Sequence, residues 1–115
     1  DSGTGSLRDA IAAANANTDY DAITFDIPAS DAGCTNGVCT ITLTSGELSI
    51  ANNGSLAIYG TGANRLAISG NNNSRVFLVD SNATVTMSGL TVRDGRISNG
   101  FGGGIYNRGV LTVTD

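Results

Sequence analysis

The chain has 115 residues, 40 % of them hydrophobic, with 16 Gly, no Lys, His or Trp, and only 14 % charged residues. That length fits one domain with a modest core; the apolar residues are dispersed in threes and fours, which argues against disorder, and no run approaches the ~20 apolar residues of a membrane span. Ten acidic and six basic residues give a net charge of −4, and the arginines are scattered rather than clustered, which argues against nucleic acid as a partner.

The first element in chain order is a helix within residues 5–16. In "GSLRDAIAAANAN" Ser6 stands as N-cap, Asp9 follows three positions later as in a capping box, and Leu7, Ala10, Ile11 and Ala14 form one apolar stripe. A helix of about ten residues is marginal alone, so this stripe needs a surface to pack on. The chain begins at Asp1, and its first residues lack the basic start and apolar centre of a secretion signal; the expectation is a processed or trimmed chain.

From Ile23 onward short alternating runs are separated by Gly, Asn and Ser: "AITFDI", "TITLTSGELSI", "SLAIYG", "RLAISG", "RVFLVD", "ATVTMSGLTV", "GGIYN" and "VLTVTD". Within "CTNGVC" the cysteines Cys34 and Cys39 flank Asn36-Gly37, a tight-turn signal that lets the thiols meet as a disulfide and points to an oxidising, extracellular location. With two cysteines and no histidine, a four-ligand zinc site is not expected, and no cofactor is. Asn53, Asn72 and Asn82 each head an Asn-x-Ser/Thr triplet, which makes them candidate glycosylation sites.

The runs recur. Residues 55–82 and 83–109 each hold three short strands, residues 110–115 start another cycle, and a less regular cycle over 23–54 precedes them. This spacing predicts an all-β fold, a right-handed, single-stranded parallel β-helix with three sides and about 27 residues per coil, capped by the N-terminal helix. Leu56/Ile58, Leu66/Ile68, Phe77/Val79, Val85/Met87, Leu90/Val92 and Leu111/Val113 would then face inward, with Gly60, Gly70, Gly89 and Gly95 at corners. An antiparallel sandwich is the competing arrangement.

"GSLRDAI" and "GGGIYNRG", with the runs between them, resemble bacterial secreted and surface proteins of the right-handed parallel β-helix class, including polymorphic outer-membrane-protein-like repeats and the group with a CSLREA-type N-terminal motif. The resemblance covers nearly the whole chain and implies that the N-terminal helix covers the open end of the first coil. Gly5 stands where that motif has its cysteine and Asp9 where it has glutamate, so no thiol is carried over.

Some β-helices cleave polysaccharides, which takes paired carboxylates or a basic group beside calcium-binding carboxylates. The candidates are Asp80, Asp94, Arg75, Arg93 and Arg96; because Asp80 and Asp94 follow different strands of their cycles, each reads as a turn cap. Without His or Lys the usual activating bases are missing. "GTGANR" and "GFGGG" do not lead from a strand into a helix and read as corners rather than phosphate cradles. Tyr59, Phe101 and Tyr106 are the candidates for a sugar-stacking platform.

These residues lead to the expectation of a non-enzymatic extracellular structural protein, self-assembling head to tail into a filament, with other copies of itself as partner and with Leu7, Ile11, Val110, Leu111 and Val113 at the interface. The expectation takes the last run, which stops within a strand, as an uncovered end. The alternatives are a module of a larger adhesin or autotransporter-like protein and a polysaccharide-binding or polysaccharide-degrading domain, with surface glycans as partner.

Overall fold

The computed structural model describes residues 6–16, 19–51, 55–81, 83–98, 100 and 102–114. Helix α1 (Leu7–Asn15) begins at Ser6, whose extended backbone and side-chain oxygen cap the first turn by accepting from the Asp9 N–H at 3.1 Å. Its Leu7 and Ile11 are buried, each worth about 1.5–3 kcal/mol of transfer free energy. That burial, rather than helix propensity, holds nine residues helical. Two polar clamps fix the helix over the segment before and within the fourth strand. Arg8 donates to the Gly46 and Glu47 carbonyls at 2.6 and 3.0 Å, and Asn15 both donates to the Ser49 carbonyl and accepts from the Ala51 N–H at 3.0 Å.

The strands are β1 (Asp21–Thr24), β2 (Cys34–Thr35), β3 (Val38–Thr42), β4 (Leu48–Ile50), β5 (Ser55–Tyr59), β6 (Leu66–Ser69), β7 (Phe77–Val79), β8 (Thr84–Ser88), β9 (Thr91–Arg93), β10 (Ile105–Asn107) and β11 (Val110–Thr114). They form three small sheets, in the orders β1-β5-β8-β11, β10-β7-β4 and β2-β3-β6-β9. Among the described residues every strand pair is parallel except β2 with β3. Parallel pairing excludes the antiparallel sandwich.

The fold-class expectation is also corrected. The described residues make a compact body of 38 × 33 × 27 Å with three separate sheets, one of them mixed, and one helix, not a regular three-sided β-helix with coils of about 27 residues. Paired residues are unequally spaced: Asp21 lies beside Leu56, 35 positions on, Val85 beside Leu111, 26 on, and Ala67 beside Thr91, 24 on. The physical reason lies in the connections. Asn36 and Gly37, both with positive φ (53° and 81°), reverse the chain within two residues and make β2–β3 an antiparallel hairpin. That hairpin and the segment before it lengthen the path between β1 and β5, while other corners are shorter.

The core lies between the sheets. Leu43, Leu48, Ile50, Ile58, Leu66, Ile68, Val76, Phe77, Val79, Val85 and Met87 are fully buried. Alternation explains most of this set, because residues two apart on a strand share a face. Of the six pairs expected inside, the first four are buried, Leu90, Val92 and Leu111 are half-buried against the core, and Val113 is exposed. Val113 occupies the same register column as Ile58 and Met87, but it belongs to an outermost strand with no further layer over it among the described residues.

Candidate functional site

Cys34 and Cys39 are opposite one another in the β2–β3 hairpin and form a disulfide, with their Cα atoms 4.0 Å apart. Their backbone N–H groups donate away from each other, to the carbonyls of Asp31 (3.0 Å) and Arg65 (2.8 Å). The disulfide therefore closes a hairpin already tied to β6. Beside it a cavity of about 250 Å³ opens between α1, β1 and β3. Its walls include Leu7, Ile23, Phe25 and Ile41 together with Asp26 and Asp31. This volume falls below the ~300–1,000 Å³ of ordinary ligand pockets. Asp26 and Asp31 are not among the candidates that the sequence pattern selects; their neighbourhood is created by the hairpin folding back and has no local sequence signal.

The charged candidates are dispersed. Arg75, 8 % exposed, donates Nη1 to Glu47 Oε1 at 2.8 Å and Nε to the Gly102 carbonyl at 2.9 Å, and its guanidinium carbon lies 5.0 Å from the centre of the Tyr106 ring. It is a cross-brace between three chain segments. Asp80 follows β7, accepts from the Ser81 N–H at 2.9 Å and lies 4.0 Å from Arg108 Nη1. Asp94 follows β9 in another sheet, takes a left-handed φ of 54°, accepts from the Ser69 hydroxyl at 3.2 Å and lies 3.8 Å from Arg93 Nε. Arg93 also donates to the Thr40 hydroxyl at 3.3 Å, and the Arg96 N–H donates to the Ser74 carbonyl at 2.9 Å. The two carboxylates thus stabilise turns at different corners and do not form a pair. Among the described residues no group of three or more Cys, Asp or Glu side chains is arranged to hold a metal ion.

The aromatic platform is not assembled from the expected residues. Tyr59 ends β5 and Tyr106 is in β10 of a different sheet, beside Arg75, while Phe101 lies outside the described residues. Tyr59 instead meets Tyr20, hydroxyl to hydroxyl at 3.3 Å. Tyr20 directly precedes β1, and only the β1–β5 pairing brings it there. Of the candidate sequons, Asn72 sits in an exposed turn with a φ of 55°, whereas Asn53 and Asn82 lie outside the described residues.

The interface candidates divide in two. Leu7 and Ile11 are buried within their own chain under α1. Val110, Leu111 and Val113 lie on β11, the outermost strand of its sheet, with Val110 60 % and Val113 55 % exposed and Leu111 half-buried against the core. β9 and β10 likewise end their sheets. The body is therefore polar in organisation: α1 packs on β4 and β1, whereas β11 carries no neighbour on its outer edge among the described residues. No described helix is long and apolar enough to cross a membrane. Comparison with protein-family models, curated proteins and solved structures finds no match to the chain.

Proposed function

We propose that this chain is a non-enzymatic structural module of the extracellular space that associates with a second copy of itself through the outer edge of β11. The observation carrying this reading is the combination, on one strand, of a hydrogen-bonding edge without a partner strand among the described residues and Val110 and Val113 more than half exposed. Such an edge templates strand addition. Two β11 edges meeting about a two-fold axis would pair their backbones and extend the Leu111/Val113 face of each copy across the contact.

Three observations support the rest of the reading. The disulfide is compatible with an oxidising compartment. Arg75, Asp80, Asp94 and Arg93 are each engaged in bracing or turn capping rather than converging on one cleft. The exposed turn at Asn72 is open to an N-linked sugar.

Sedimentation velocity of the 115-residue chain over a wide concentration range tests the proposal. The expected result is a concentration-dependent dimer that Val113→Lys converts to monomer, because a charge would then be buried at the contact. Open-ended growth with concentration would replace the two-fold pair by a head-to-tail filament. A wild-type chain that stays monomeric throughout, or a dimer indifferent to Val113→Lys, refutes association through β11.

A further inference from the structure

The pair of tyrosines at the β1–β5 junction is a cluster of chemically reactive side chains that the proposed structural role leaves unused. Tyr20 is 64 % and Tyr59 42 % exposed, and their hydroxyls are 3.3 Å apart. β1 and β5 pair with Asp21 beside Leu56 and Thr24 beside Tyr59, so the two phenols approach from opposite ends of one strand pair, 39 positions apart in sequence. We propose that Tyr20 and Tyr59 are a modification site, joined by peroxidative coupling into an intramolecular dityrosine.

Composition makes the site selective. The chain has no Trp and no His, and its two cysteines are already oxidised. Its single methionine, Met87, is fully buried. One-electron oxidation at the surface is therefore left to the three tyrosines. Tyr106 is the disfavoured one: it is half-buried, and the Arg75 cation lies 5.0 Å from its ring centre, so a ring that loses an electron there develops charge beside a positive group. Tyr20 and Tyr59 are reachable by the oxidant and already adjacent, which turns radical coupling into an intramolecular step.

The oxidant is hydrogen peroxide acting through a haem peroxidase. Each phenol loses one electron and one proton to become a phenoxyl radical. The two radicals join through ring carbons ortho to the oxygens, and the hydrogen displaced from each coupling carbon returns to its oxygen as the ring regains aromaticity. One carbon–carbon bond forms, the protein loses two hydrogen atoms in all, and one peroxide is reduced to two waters. The product staples the segment before β1 to the end of β5.

The test treats the full chain with peroxide and a haem peroxidase. A monomer lighter by two hydrogens, blue dityrosine fluorescence and a linked peptide pair containing Tyr20 and Tyr59 are expected, with a raised thermal midpoint. Tyr20→Phe and Tyr59→Phe should each abolish the intramolecular link, while Tyr106→Phe keeps it. Circular dichroism establishes that each variant is folded, and wild-type chain in concentrated urea should lose the link. A link through Tyr106, a product linked only between chains, a link persisting in either Phe variant or in urea, or a folded wild type that does not couple overturns the proposal.

Discussion

Gly60→Ala tests how closely adjacent layers approach at a corner. Gly60 does not have a left-handed φ, so alanine carries no dihedral strain there; the obstacle is space. A Cβ on Gly60 would overlap the Gly89 carbonyl oxygen and lie 2.7 Å from the carbonyl carbon and 3.1 Å from Leu90 Cβ. Real Cβ atoms essentially never come within 3.0 Å of other heavy atoms, and ordinary contact starts at 3.4 Å, so the two backbones must part. The same corner holds two backbone hydrogen bonds of 2.7 Å, from Gly60 N–H to the Ser88 carbonyl and from Gly62 N–H to the Gly89 carbonyl. Overpacking costs about 1–3 kcal/mol, and weakening both hydrogen bonds adds roughly 1 kcal/mol. A total of about 2–4 kcal/mol is a large fraction of the ~5–15 kcal/mol that stabilises a domain.

The control is Gly37→Ala in the β2–β3 turn, where φ is +81° but nothing lies within 4 Å of the new Cβ. Only the left-handed penalty applies there, about 1–2 kcal/mol. Urea unfolding followed by far-ultraviolet circular dichroism measures both, at constant m-value. Gly60→Ala is expected to lose more stability than Gly37→Ala. Equal losses, or a milder Gly60→Ala, would mean that the layers at this corner part without resistance and that the close approach carries no structural weight.

Two further outcomes follow from side-chain contacts. Glu47→Ala should destabilise the fold more than Arg75→Met, by about 3 against about 1–2 kcal/mol in urea titrations, because the first removes the carboxylate from a guanidinium only 8 % exposed while the second leaves a carboxylate whose side chain is 31 % exposed to water; the reverse order would mean that the pair is solvated. Tyr20 should titrate above the ordinary tyrosine value of 10.0, raised first by its hydrogen bond with Tyr59, then by desolvation and by the neighbouring phenolate. Since its folded pKa is raised, the contact stabilises the fold below the unfolded tyrosine pKa, and that contribution is lost as pH rises through the folded value. Ultraviolet titration should find Tyr20 moved down toward its ordinary value in Tyr59→Phe, and an unchanged Tyr20 would show that the hydroxyls do not meet in solution.

Elements made by neighbours along the chain are legible in the residues themselves. Ser6, Asp9 and the Leu7/Ile11 stripe specify a capped helix, and Asn36-Gly37 between two cysteines specifies a hairpin and its disulfide, because caps and two-residue turns are local chemistry. Alternation picks out Leu56, Ile58, Phe77, Val85 and Met87 as core. Evenness of repeat is not legible. The same alternation is compatible with several partners for each strand, and the unequal connections that separate residues paired in parallel by 24 to 35 positions become visible only once the pairing is known.

The charged and aromatic residues show the division most clearly. Which residues are available is a matter of composition: six arginines, three tyrosines, no histidine and no lysine, and with them the chemistry the chain is able to support. The tertiary structure alone decided which of them meet. Arg75 and Glu47 are 28 positions apart and Tyr20 and Tyr59 are 39 apart, and contacts at such separations depend on strand register rather than on any local pattern. It likewise decided that Leu7 and Ile11 are buried within the fold while Val110 and Val113 stand at its edge. All four are apolar residues in amphipathic runs, and burial differs among them because packing is settled by which surfaces the neighbouring elements have already covered.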